Sequence, residues 1–387
     1  MHKSFPVFGG LLISIASIQS HANPLKFGDA STDTGEIQVS GWLRANIQDK
    51  SYSDDEHKLK FDAAKLDIKY DSRQFFGNLE YRCYQFDTIC DFSSLVNANL
   101  GYKISPTQRV TVGVQDVPFG PGRGWSTSWY GGLLVNTGLE DIHNLGINYQ
   151  QQWTNTKLDL AYFTGDAGNY VGKSQDASRY TANFVKPDST SDTYLDEKNM
   201  FVARISQDLP YFTVNDFSVN VGASYWYSDI DNKTNGQTGH RDSWALFSRL
   251  AYKGVNVTLT GGKNKITNKD PLYPDYAVVG SFDSAYYVAN EGQFYTADVN
   301  YTFKNVLDRF QITPYATYTA YDKSHADYKT STRSIFGAQL DYKKFSVASE
   351  YIIGKNDLFI GGDAQSFAQG DTGKSNKLFN LLFLYNF

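Results

Sequence analysis

The sequence predicts an all-β fold, a transmembrane antiparallel β-barrel of about 16 strands with one long loop folded into the lumen. Three observations carry that prediction. From Glu36 onward the chain reads as amphipathic segments of about ten residues, the length that crosses a membrane as a tilted strand. The connections between them alternate between very short and long. The final segment places Phe379, Leu381, Phe383, Tyr385 and Phe387 at every second position.

The first stretch is set aside before fold reasoning. Met1, His2 and Lys3 form a short positive region, Phe5–Ile18 is apolar, and Ser20-His21-Ala22 supplies small residues where a signal peptidase cuts. Residues 1–22 are therefore expected to be a signal peptide and 23–387 the barrel. The apolar run is shorter than the roughly 20 residues a spanning helix needs, and no other segment comes close. Helical spans are excluded. The composition agrees: 28 Tyr, 26 Phe and 32 Gly accompany only 2 Met, with a mean hydropathy of −0.44. Alternating lipid-facing and lumen-facing positions keep mean hydropathy low, while aromatic girdles collect Tyr and Phe at the two interfaces.

The first strand, Gln38–Ile47, puts Val39, Leu43, Ala45 and Ile47 on one face and Gln38, Ser40, Arg44 and Asn46 on the other. Strands follow at Lys58–Tyr70, Phe75–Phe86, Leu95–Ile104, Arg109–Phe119, Asn144–Trp153, Lys157–Thr164 and Met200–Leu209. The pattern continues at Phe217–Ser228, Ser243–Tyr252, Val255–Lys263, Gln293–Phe303, Phe310–Tyr321, Ser334–Tyr342, Ser346–Ile353 and Lys377–Phe387. An even number returns both termini to the periplasmic side. Short connections at 106–108, 154–156, 253–254 and 343–344 alternate with long polar ones at 120–140, 167–198, 264–291 and 357–376. Short turns at one rim and long loops at the other is the outer-membrane arrangement. The strands cannot leave an open edge in lipid, so the terminal row ending at Phe383, Tyr385 and Phe387 is expected to close the barrel. That row also resembles the signal read by the barrel assembly machinery.

Cys83 and Cys90 are the only cysteines, and in an oxidising periplasm an even count is expected to form one disulfide across a hairpin. No cofactor is called for, and no His or Cys spacing suggests a metal.

A barrel of this size is too wide for side chains alone to fill, so its default content is an aqueous channel. Selectivity then falls to charged lumen residues and an inward loop. The candidate loop is Gly120–Gly132: Arg123 supplies charge at the constriction, and Trp125, Trp129 and Tyr130 pack the loop against the wall. Strand alternation places Arg44, Lys65, Asp67, Lys69, Glu80, Arg82, Arg204 and Arg249 inside, with Asp298 and Asp341. A channel for passive diffusion of small hydrophilic solutes or ions is the expected function. A saccharide-selective channel is the alternative within transport. An outer-membrane phospholipase is the enzymatic alternative, but His57, His143, His240 and His325 stand in no recognisable motif. Outer-membrane lipid and lipopolysaccharide are the expected surroundings, with acidic runs Asp54–Glu56 and Asp229–Asp231 read as outer loops. Nucleic acid is not an expected partner.

The run Val112-Gly-Val-Gln-Asp-Val-Pro-Phe-Gly120, followed by Ser126 or Ser128, is similar to a segment of the phosphate-selective porin O/P family. Phe61–Lys69 stands where that family has an arginine-rich strand, and Leu79–Tyr81 and Asn97–Tyr102 match its next two strands. The resemblance covers about the first third of the mature chain and the last strand. It implies a sixteen-stranded, trimeric porin. Where the family's phosphate-binding members carry arginines, this strand has Lys60, Lys65 and Lys69 interleaved with Asp62 and Asp67. Lysine lacks the bidentate fork that matches an oxyanion, so phosphate specificity is not carried over.

Overall fold

The computed structural model describes residues 24–54, 57–189, 192–210 and 216–387. The expected signal peptide lies outside these, as do Asp55 and Glu56 of the first acidic run. Among the described residues sixteen strands form the wall: β1 (Gly35–Lys50), β2 (Lys60–Asp71), β3 (Phe75–Tyr84), β4 (Phe92–Ser105), β5 (Gln108–Asp116), β6 (His143–Gln152), β7 (Thr156–Asp166), β8 (Leu195–Asp208), β9 (Phe217–Asn232), β10 (Thr238–Tyr252), β11 (Val255–Thr267), β12 (Glu291–Tyr301), β13 (Phe310–Lys323), β14 (Ser331–Tyr342), β15 (Phe345–Lys355) and β16 (Ser375–Asn386). After Thr302, β12 resumes as Phe303–Val306, which also pairs with β13.

Each strand pairs antiparallel with the one before it, and Trp42–Lys50 of β1 pairs with Leu378–Asn386 of β16, so no wall edge is left open. Gly41 and Phe387 exchange both backbone hydrogen bonds at 3.0 Å and extend that seam to the last residue. Gly41 has to be glycine: a Cβ there would lie 2.2 Å from the Lys65 carbonyl oxygen and 2.8 Å from the Phe387 ring. Below the seam the free side of Gly35–Val39 is covered by a short strand, Leu25–Asp29, that the alternation does not announce.

The predicted alternation holds along the wall. Phe379, Phe383 and Tyr385 point outward and stay exposed, while Leu378, Asn380, Leu382 and Leu384 between them are buried. Leu43, Leu66, Leu79, Tyr81, Leu100, Val112, Leu246 and Phe336 belong to the same outward belt. Several strands end earlier than the pattern suggests, two of them for evident local reasons. β3 stops at Tyr84, because the Asp91 carboxylate gathers the N–H groups of Phe86, Asp87 and Thr88 at 2.8, 2.9 and 3.3 Å into a turn. Cys83 and Cys90 are bonded across it. β5 stops at Asp116, because Pro118 has no N–H for the ladder and Phe119 turns inward to 2 % exposure.

The larger departure concerns the lumen, expected to be polar throughout. Near the outer ends of β7–β13 many inward residues are apolar: Phe163, Met200, Trp226, Ile230, Phe294 and Tyr321 are all buried, beside a buried polar group in which Arg241 donates to Glu197 and Asn264. They form one core with Phe119, Trp125, Leu133 and Leu134 of the 117–142 loop, Phe184 of the 167–194 loop, and Val279, Tyr286 and Val288 of the 268–290 loop. Those loops carry their own small sheet, Ser284–Ala289 beside Tyr276–Ser281 beside Asn183–Phe184. A parallel bridge from Val288 to Phe367 ties in the 356–374 loop. At roughly 2 kcal/mol or more for each large apolar side chain fully buried, this core holds the loops inside the barrel rather than above it. Asp229 and Asp231, read as an outer loop, lie within β9, and Asp231 is paired with Lys198 and Lys233 at 2.9 and 3.0 Å.

Candidate functional site

The loop from Val117 to Ile142 crosses the lumen, and its route is set by polar anchors on the wall. Gly120 N–H donates to Ser224 Oγ at 2.8 Å, and the Arg249 guanidinium donates to the Pro121 carbonyl. Thr127 donates through its N–H and hydroxyl to Asp298 at 2.9 and 2.6 Å. Ser128 Oγ and the Trp129 N–H donate to Glu350 at 2.7 and 2.8 Å, and Trp129 Nε1 to Gln339 at 2.6 Å. Arg333 donates to the carbonyls of Gly131 and Gly132 and to Asn136 Oδ1. The run of glycines permits this path; Gly120, Gly122, Gly124 and Gly131 all have φ between 62° and 116°.

The predicted loop residues divide by this geometry. Arg123 spans from the loop to β3: its two terminal nitrogens donate to Glu80 at 2.5 and 2.9 Å, and its Nε donates to Asp141 at 2.8 Å. Its charge is thus matched by two carboxylates rather than presented alone. Trp125 is 1 % exposed, packed on Phe119 and Phe294, and does not line the passage. Trp129 meets Trp42 of β1 edge-on, and Tyr130 donates to the Phe359 carbonyl at 2.8 Å, tying the loop to the 356–374 loop.

Of the predicted wall residues, Glu80, Arg82 and Lys65 converge on Arg123. Glu80 is 1 % exposed and also accepts from Arg82 Nε at 2.7 Å and Asn97 at 3.3 Å. Lys65 lies 3.3 Å from Asp67. Arg82 faces the Tyr180 ring at 4.9 Å and Arg44 the Trp42 ring at 4.9 Å, with Arg44 also paired to Asp62. Asp141 continues the network: His143 Nε2 lies 2.9 Å from its Oδ1, and the Tyr180 hydroxyl donates to its Oδ2 at 2.6 Å. Burial pushes the Asp141 carboxyl up, but Arg123 and His143 outweigh that and hold it well below the ordinary carboxylate range.

Arg204 belongs to a second group. It donates to Asp159 at 2.9 and 3.0 Å, and Lys157 lies 3.9 Å from the same carboxylate. Antiparallel register places Lys103, Arg109, Gln150, Asp159 and Arg204 side by side on β4 to β8. Arg109 donates to Gln150 Oε1 and Arg249 to Pro121, and among the described residues neither meets a carboxylate within 4.0 Å. Arg249 Nε is buried without a hydrogen-bond partner. Lys69 projects into a cavity of about 580 Å³ lined by Asn78, Asn97, Asn99, Asn148 and Gln150 with Lys103, Arg109, Asp71 and Asp116.

Sequence reasoning missed Asp141 with His143, Arg333 with Asp357, and the cations Lys157 and Arg109. Alternation marks Lys157 and Arg109 as inward on the same faces as Asp159 and Thr111. The ion pairs that close through loops carry no local signal. The loop-covered wall does have one: Tyr162-Phe163, Tyr225-Trp226-Tyr227 and Phe294-Tyr295 are aromatic on both faces at once.

No family model matches the chain, and no curated relative matches it. Solved structures do. The outer membrane channel DcaP of Acinetobacter baumannii is similar at TM-score 0.58 and 13% identity, over 92% of this chain and 99% of that one. The anion-selective porin from Comamonas acidovorans gives 0.54 at 11% identity, over 91% and 100%. OmpT, an outer membrane protein of Vibrio cholerae, gives 0.53 at 14% identity, over 95% and 100%. At such identities the likeness is one of fold. The chain folds as a closed antiparallel β-barrel of sixteen wall strands, the fold of these outer-membrane proteins.

Proposed function

We propose that the protein is a porin: an aqueous channel for passive diffusion of small hydrophilic solutes, with a preference for anions. The observation that carries this reading is the division of the lumen. Near the outer end, loops and apolar clusters cover the inner wall of β7–β13 and, through Trp129 and Phe282, part of β1–β4, while toward the short turns the wall of β1–β6 keeps a polar cavity of about 580 Å³. Water and solutes follow the polar side. The anion preference rests on Arg109 and Arg249, which meet no carboxylate among the described residues, and on Lys157 and Arg204, two cations that share the single carboxylate of Asp159. The named channels of similar fold support the same reading, and assembly as a trimer accords with the trimer form described for OmpT.

The saccharide alternative draws less support, since Tyr70 and Phe76 are the aromatic rings on the cavity and Arg109 lies over Phe76 at 5.7 Å. The phosphate specificity of the O/P family is not part of the proposal, for the lysine and aspartate mixture on β2 stands. Nor does His143 suit a phospholipase, because carboxylates or an amide oxygen face both its ring nitrogens. Osmotic swelling of proteoliposomes tests the reading. Vesicles containing the barrel are expected to swell in a small neutral polyol, and faster in the salt of a small carboxylate than in that of a small organic cation. Vesicles as tight as protein-free controls would overturn it.

A further inference from the structure

His143 opens β6 at the foot of the constriction loop and is 1 % exposed. Its Nδ1 lies 3.0 Å from Asp116 Oδ1 and 3.1 Å from Asn97 Oδ1, and its Nε2 lies 2.9 Å from Asp141 Oδ1. Hydrogen-bond roles follow from these neighbours. Nδ1 is hydrogen-bonded to the Asn97 amide oxygen with Asp116 beside it, and Nε2 to Asp141, so each ring nitrogen faces acceptors and is asked to donate. A neutral imidazole has one N–H and one lone pair, and either tautomer would set its lone pair against a carboxylate. The imidazolium alone satisfies both sides. The Asn97 amide adds no demand for a lone pair, since its other end donates to Glu80.

Charged groups reach this site from several elements, while β4 gives only the neutral Asn97 and Leu95. Asp116 ends β5; Glu80 and Arg82 come from β3; Arg123, Glu140 and Asp141 come from the constriction loop. The 167–194 loop contributes Tyr180, whose ring meets the imidazole at 5.5 Å, and Arg179, which lines the same small crevice with Tyr170. Asp116 is half exposed and lines the polar cavity.

We infer that His143 is a specificity-determining residue of the channel, an imidazolium that masks Asp116 at the cavity wall and, through Asp141, holds Arg123 at the constriction. The inference rests on the porin reading. Without that cation, Asp116 would be a bare carboxylate beside permeating ions, and Asp141 would keep Arg123 but lose the imidazolium. Both changes disfavour anions. In a partly desolvated lumen one added negative charge is expected to lower the anion-over-cation permeability ratio by about two- to five-fold.

The experiment has two arms. In the first, the refolded full-length barrel carries ¹⁵N-labelled histidine, and the His143 signal is identified by its absence in His143→Gln. Both ring nitrogens are expected to carry a proton. A single-tautomer neutral ring overturns the inference whether or not the barrel conducts. In the second arm, reversal potentials in a salt gradient are compared between the wild type and His143→Gln. The variant is expected to show the lower anion preference. Equal reversal potentials overturn the inference and leave the porin reading intact, whereas wild-type barrels that carry no current overturn the porin reading.

Discussion

Arg333 and Asp357 meet end-on, Nε to Oδ2 at 2.7 Å and Nη2 to Oδ1 at 2.8 Å, and both are buried to 1 % exposure. The pair joins β14 to the 356–374 loop. The remaining Arg333 nitrogen, with Nη2, reaches Gly131, Gly132 and Asn136, so one guanidinium fixes the constriction loop and the 356–374 loop together. Tyr130 packs on it at 5.2 Å. Bidentate geometry and filled donors make this a case where a buried ion pair orders its surroundings.

Arg333→Ala leaves Asp357 buried without its cation and three loop acceptors without a donor. Breaking one side of such a pair costs about 3–5 kcal/mol. The unfolding transition, read by loss of heat-modifiable migration on gels, is expected to move to lower temperature. Single-channel recordings of the same variant are expected to show excess open-state noise, from a loop no longer held at Gly131 and Gly132. An unchanged noise spectrum would show that Arg333 braces the wall alone.

Arg123→Ala exposes Glu80 and Asp141 together and removes their shared cation. The anion-over-cation permeability ratio is expected to fall by about three-fold or more, read as a shift in reversal potential. Conductance is expected to rise, because a long side chain leaves the constriction. If both stay at wild-type values, the loop does not set the passage.

Glu140 provides a pH dependence of stability. Burial pushes its carboxyl up to about 8 from an ordinary 4.5; the Trp125 N–H, at 2.5 Å, opposes this, and Asp141 and Asp298 add to it. Between pH 4.5 and 8 the native chain holds a proton that the unfolded chain releases. Stability therefore falls as pH rises through that window and levels off above it. Glu140→Gln removes the titration, and is expected to exceed the wild type by roughly 5 kcal/mol well above pH 8 and to converge with it near pH 4.5. Denaturant unfolding at several pH values reads the difference.

Much of this was legible in the chain. The sixteen strands, the inward side of Arg44, Lys65, Glu80, Arg82 and Arg204, and the closing row through Phe387 follow from a two-residue period, which a one-residue slip would have inverted. The route of the constriction loop was legible as far as its glycines. What could not be read were contacts made by residues far apart in sequence. Glu80 and Arg123 are 43 positions apart, and Arg333 and Gly131 are 202. No local pattern encodes such pairings. The apolar inner core was hidden for a related reason: Trp226 and Phe294 break the alternation, but only the loops that cover them make that break stable.

Arg249 tests whether the wall cations matter. Its guanidinium meets a carbonyl rather than a carboxylate, and Arg204 lies next to it beneath Gly122. Arg249→Gln keeps a donor for Pro121 and removes one charge. Anion preference is expected to fall by about two-fold with conductance nearly unchanged. Equal selectivity in the variant would place the filter elsewhere along the lumen.

The central claim is that the loop-bridged lumen still passes ions along the wall of β1–β6. The measurement that tests it most directly is the current through the purified, refolded barrel in a planar bilayer, first in symmetric salt and then across a salt gradient. Stepwise increments that grow with salt concentration, and a reversal potential on the anion side, are the predicted result. A bilayer that stays silent while the barrel is folded and inserted would contradict it.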